Sequence, residues 1–158
     1  MATRGLTWEK KQRRDHVMVV LSGELNEAVD FSQLQTLEGS VTFDLAGIRR
    51  INSGGARCWL RFMRTLDQVT ELRLVRCSTA FVAQCNLIRG FEGTGTIESV
   101  LAPYRCHKTG EEDERLLYLG NLEDPLAPPD FIEDDDTYEF DDDPARFFAF
   151  LIDSRRRG

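Results

Sequence analysis

Short apolar runs alternate along the chain with stretches whose apolar residues fall three or four positions apart. Val17–Leu21 is wholly apolar and bounded by Arg-Asp and Ser-Gly, the pattern of a strand buried on both faces. Leu6–Gln12 precedes it across Arg14-Asp15, which predicts a hairpin. Ala28, Phe31, Leu34 and Leu37 form an apolar stripe that predicts a helix over Asn26–Leu37, with Gly39 as its stop. Val41–Leu45 predicts the next strand. In "ARCWLRFMRTL", Ala56, Trp59, Phe62, Met63 and Leu66 share one face and Arg57, Arg61 and Arg64 the other, a second helix. Glu71–Val75 predicts a strand. Ser78 then caps a helix burying Phe81, Val82, Cys85 and Ile88, and Thr96–Pro103 predicts a final strand. Two strands followed by α-β units with short connections imply an α/β fold, a mixed sheet flanked by helices.

Beyond Pro103 the pattern changes, which divides the chain into a body, residues 1–103, and an acidic extension, residues 104–158. "EEDER" and "EDPLAPPDFIEDDDTYEFDDDP" are acidic and broken by proline, the composition of a loop or loosely ordered segment. The end differs. Asp143 suits a helix N-cap and Pro144 the first helical position, and Phe147, Phe148, Phe150 and Leu151 follow. So many anchors predict a short helix over Pro144–Ile152 docked on the body, with the body's arginines as weak, salt-screened support, or else on an external partner.

Charge sharpens this division. Met1–Gly110 carries 15 Lys+Arg against 11 Asp+Glu, whereas Glu111–Gly158 carries 5 against 16, for a net charge of −7. A mildly basic body with an acidic extension argues against nucleic acid as a partner. No apolar run approaches the roughly 18–20 residues of a membrane span, so no membrane insertion is expected. "MATRGLTWEKKQRR" has no apolar core of a secretory leader, and a cytoplasmic location is the expectation. Cys58, Cys77, Cys85 and Cys106 match no metal-ligand spacing and read as reduced structural thiols. Cys106 and His107 together supply at most two of the four ligands a structural zinc needs. Neither a metal nor another cofactor is called for.

The chemistry concentrates in "RRINSGGARCWL", where a strand gives way to the Arg-rich helix. Ser53 is placed to cap that helix. Gly54 and Gly55 disfavour a first turn and leave the backbone open to close approach. Catalysis by Ser53 lacks a base, since His16 and His107 stand in no triad context, and no enzyme activity is expected. A phosphate-binding loop lacks its lysine, and "GFEGTG" follows a helix rather than opening one. A serine that is itself phosphorylated fits better. It would sit at the positive end of a helix with Arg50 and Arg57 close in sequence, and the added charge of about −1.5 to −2 would invert the local potential.

Three stretches, "VVLSGELN", "VTFDLAGIRRINSGGARCWL" and "LRLVRCSTAFVAQCNLIRGF", resemble a STAS domain. This is the fold of bacterial anti-sigma factor antagonists and of the cytoplasmic tails of sulfate transporters. The resemblance covers residues 6–103 and implies a non-catalytic signalling adaptor. In that family the partner is a regulatory protein, an anti-sigma factor that is also a serine kinase, or a larger signalling assembly. It places Ser53 on the phosphoacceptor and Gly55 on the motif glycine. Asn52 and Asn26 stand where the family has Asp, and Gly54 where it has Ser or Thr. Asn26, Arg50, Asn52, Gly54, Gly55 and Arg57 then frame the partner-binding surface. Two alternatives remain: a scaffold subunit that no longer switches and a small-ligand or nucleotide module. The extension resembles, more faintly, the zinc ribbon that ends some STAS-like chains, here with Cys106 alone and no metal.

Overall fold

Val41, Phe43 and Leu45 alternate with Thr42 and Asp44 along one strand, so all three apolar side chains point to one face. That face is where the helices pack. The computed structural model describes residues 5–157; Met1–Arg4, the start of the segment read for a leader, and Gly158 lie outside them. The first sheet has the order β1 (Thr7–Arg13), β2 (His16–Leu25), β3 (Gly39–Ile51), β4 (Val69–Val75) and β5 (Thr96–Ile97). The hairpin of β1 with β2 is antiparallel and turns at Arg14 and Asp15, between the paired Arg13 and His16; the other pairs are parallel. This is a mixed sheet in an α/β fold.

Helices α1 (Ser53–Met63) and α2 (Thr79–Leu87) cover one face. Trp59 is their common centre. It meets Phe43 of β3 at 5.9 Å, Phe81 of α2 at 5.5 Å and Phe31 at 6.0 Å between ring centroids. Its indole N–H donates to the Phe91 carbonyl at 2.9 Å, so the ring is buried without an orphan donor. Ser78 caps α2 by accepting from Phe81 N at 3.2 Å. Val19 and Leu21 are buried in this layer, but Met18 and Val20 on the opposite face are only half-buried. β2 is therefore not covered on both faces.

The helix expected over Asn26–Leu37 does not form. Asn26 Oδ1 accepts from Ala28 N and Asp30 Oδ1 from Ser32 N, each at 2.9 Å. These local bonds offer the backbone an alternative to the helix, leaving one 3₁₀ turn at Ser32–Leu34. Phe31, Leu34 and Leu37 are still buried; Ala28 is exposed. Gly39 starts β3 rather than stopping a helix.

The residues expected as one strand, Thr96–Pro103, divide between two sheets. β5 ends at Ile97, Glu98 N donates to Leu74 O, and β6 (Ser99–Cys106) opens a second sheet with β7 (Glu112–Tyr118), β8 (Phe131–Glu133) and β9 (Asp136–Phe140). Its order is β7-β6-β9-β8, and every pair is antiparallel. Much of the acidic segment expected as loop is thus strand. Arg115 is the reason. Its guanidinium forks onto Glu133, its Nε lies 2.9 Å from Asp113, and it stacks 4.2 Å over the Tyr138 ring. One cation joins β7, β8 and β9. Asp134 and Asp135 take the positive-φ positions of the β8–β9 turn (φ 50 and 67), a conformation that Asp tolerates better than most residues.

The chain ends in α3 (Pro144–Phe147), capped by Asp143, and α4 (Ala149–Arg157). Phe147 and Phe148 are buried and Phe150 and Leu151 partly so. Asn86 of α2 holds this end by donating to Phe147 O and accepting from Phe150 N, both at 2.9 Å. The polar anchor of this end is Asn86 rather than the body arginine that charge suggested. Arg155 of α4 instead donates to the carbonyls of Leu119, Leu122 and Glu123.

Candidate functional site

Parallel pairing of β2 with β3 brings Leu25 beside Ile51 and Glu24 beside Arg50. The turn leaving β2 therefore meets the start of α1. Asn52 N donates to Leu25 O at 3.1 Å. The N-cap of α1 is Asn52, not Ser53: Asn52 Oδ1 accepts from Gly55 N at 2.7 Å, with its backbone extended (φ −93, ψ 176). Ser53 is the first residue inside the helix and is exposed. Its hydroxyl is relieved of capping because the side chain one residue earlier already reaches the first-turn amide.

What approaches the two glycines is the chain itself. A Cβ at Gly55 would lie 2.0 Å from Leu25 O and 2.7 Å from Asn26 N; one at Gly54 would lie 2.9 Å from Glu27 Cβ and Oε2. Both glycines are required by the packing of α1 against the Leu25–Glu27 turn. Asn26 is half-buried and shapes that turn through its bond from Ala28 N.

Glu27 was not legible as part of this site. Asn52 Nδ2 donates to Glu27 Oε2 at 3.0 Å. The carboxyl is held below its ordinary pKa, first by Glu27's own backbone amide and then by Asn52. A carboxylate thus stands against both neighbours of Ser53, at the positive end of α1. The structure brings Asn26, Asn52, Ser53, Gly54 and Gly55 together, while Arg50 and Arg57 flank them, both exposed.

Neither histidine is near Ser53. His16 begins β2, roughly 30 Å of strand from Leu25, and lies between Ser40 Oγ at 3.0 Å and Thr42 Oγ1 at 2.9 Å. His107 is exposed and faces Glu139 at 3.4 Å. Two neighbouring grooves, of about 730 and 530 Å³, open where α2 and α3 meet the second sheet, and Ser53 lines neither. Ser53 stands exposed on the first turn of α1. No helix among the described residues is long and apolar enough to cross a membrane. No protein-family model and no curated protein matches the chain in sequence.

Proposed function

We propose that the chain is a non-catalytic, STAS-like signalling adaptor that binds a regulatory protein through the surface around Ser53, with phosphorylation of Ser53 as the control. The observation that carries this reading is the exposure of Ser53 at the first position of α1, with the cap supplied by Asn52. A phosphate there would change surface charge without removing a bond that holds the helix. The second sheet, with Cys106 as its lone remaining ribbon cysteine, is in this reading a ribbon held by Arg115 instead of a metal.

One observation favours a second reading, a scaffold subunit that does not switch. Glu27 already places a carboxylate at the helix end, so this surface is partly anionic before any modification.

Affinity capture with wild type, Ser53→Ala and Ser53→Asp, together with mass spectrometry of Ser53, separates the two. Because Asn52 is the cap, alanine is expected to bind like wild type, while aspartate loses most of the partner. Phosphoserine at position 53 and a co-purifying kinase would support the adaptor. Equal binding by all three proteins, with Ser53 unmodified, would overturn switching and favour the scaffold.

A further inference from the structure

The outward face of α1 and its C-cap, Arg64, present four side chains that the fold does not use. Ser53, Arg57, Arg61 and Arg64 are all exposed. At about 100° per residue they fall in a sector roughly 80° wide, over about 16 Å of helix. None of the three arginines makes an ion pair among the described residues, whereas Arg73, Arg76, Arg105, Arg115 and Arg146 are each paired with a carboxylate. Arg13, Arg14, Arg49, Arg50, Arg89 and Arg156 are exposed without an ion pair there too, but Arg57, Arg61 and Arg64 line up on one helical ridge that starts at the serine. Half-buried Leu60 borders the same sector and offers an apolar seat.

We infer that this ridge docks an acidic α-helix of the partner protein, one presenting carboxylates at i, i+4 and i+7, and that a phosphate on Ser53 competes with it for Arg57. The inference rests on the docking surface proposed above and names its partner chemistry. Arginines spaced by four and then three residues repeat the spacing of one helix face, so a parallel helix of that pattern meets each of them in turn. The guanidinium fork suits carboxylate oxygens. A nucleic acid would meet a molecule of net charge −7.

Ser53 and Arg57 are i and i+4, within side-chain reach on one helix. The phosphate would come from a nucleoside triphosphate through a serine kinase. A new Oγ–P bond replaces the β–γ anhydride bond, the nucleoside diphosphate leaves, and the hydroxyl proton passes to the kinase's base. The phosphoryl group then pairs with Arg57 and repels the first carboxylate of the incoming helix.

The test uses the full chain and an alanine-based peptide of about 18 residues, long enough to be largely helical in water. One version carries glutamates at i, i+4 and i+7 and an isomer spreads them around the helix. Fluorescence anisotropy at low salt is expected to show the striped peptide binding roughly tenfold more tightly than the isomer. Changing Arg57, Arg61 and Arg64 together to Gln should remove that difference without altering the melting temperature. Phosphoserine installed at position 53 should weaken the striped peptide at least about threefold, and Arg57→Gln should abolish that sensitivity.

Equal binding of the two peptides, or no binding, overturns the inference. So does tighter binding to duplex DNA. Low-salt self-association that the triple substitution abolishes would also overturn it, by assigning the ridge to a second copy. A captured partner lost with Ser53→Asp but kept with the triple Gln variant would leave the docking surface standing and remove the ridge. A captured partner indifferent to both, beside a ridge that still selects the striped peptide, would remove the adaptor reading alone.

Discussion

Asn52 acts twice at the head of α1, accepting from Gly55 N through Oδ1 and donating to Glu27 Oε2 through Nδ2. An aspartate would keep the first bond and place two carboxylates together in the second, so the amide is the side chain that suits both neighbours. Asn52→Ala should lower stability by about 1 kcal/mol through loss of the cap, while Ser53→Ala stays within about 0.5 kcal/mol. Denaturant unfolding of the two variants checks the ordering. Asn52→Ala should also move the Glu27 pKa upward, though not fully to its ordinary value, because Glu27's own amide still bonds the carboxylate. The sign follows from that depressed value. Glu27 contributes stability above its unfolded pKa and loses it as pH falls through the lowered folded one. Carboxyl NMR titration of wild type and variant reads this directly, and an unmoved Glu27 would show that the Asn52 bond is unimportant to it.

At the scale of elements, α2 is the joint between the body and the chain end. Asn86 spends both ends of its amide on the α3–α4 junction, at Phe147 O and Phe150 N. Asn86→Ala removes both bonds, each worth roughly 1 kcal/mol, and should lower the unfolding free energy by about 2 kcal/mol. Hydrogen exchange at the Phe150 amide should quicken more than at Trp59, and equal change at both would mean that the junction does not open by itself. The elements also differ in how far periodicity disclosed them. α1, α2 and the inner strands β2, β3 and β4 were legible from their apolar runs and spacing, whereas the polar edge strand β1 was legible only as the partner of a hairpin and β5 was read as one strand with β6. Phe31, Leu34 and Leu37 were legible as core but not as coil, since Asn26 and Asp30 divert the backbone through bonds that leave the apolar spacing unchanged. The second sheet was hidden because much of its cohesion is ionic and aromatic around Arg115. Acidic residues paired across strands look, in sequence, like acidic residues in a loop. The candidate site divides the same way. The exposed place of Ser53 followed from a local pattern switch, whereas the meeting of Asn52 with Glu27, 25 residues apart, depends on the β2–β3 register.

For the whole molecule, the question is what makes the helical layer and the second sheet one body. The main chain joins them where Cys77 N donates to Ser99 O and Leu101 N to Cys77 O, and the chain end adds an apolar clamp. Phe147 and Phe148 sit 5.5 and 5.8 Å from Phe140 of β9, while Asn86 ties the same turn to α2. Burying each ring contributes roughly 1.5–3 kcal/mol, against an ordering cost of roughly 1–2 kcal/mol per residue of backbone. That balance favours docking only when the rings are buried together, so the clamp should open as a unit. Phe148→Ala leaves a cavity under a side chain that is 0% exposed and should cost about 3–5 kcal/mol. Deleting residues 144–158 should lower the melting temperature and expose an apolar surface around Phe140 and Val82 that binds a hydrophobic dye. Added salt should change the intact protein little, because the clamp's main bonds run from aromatic rings, the Asn86 amide, and Arg155 to neutral carbonyls. Its exposed Arg146–Asp142 pair is of the kind worth little even at low salt. A truncated chain as stable and dye-silent as the full one would show that Phe147 and Phe148 are not what joins the two layers. Melting strongly shifted by salt would assign that hold to charge instead.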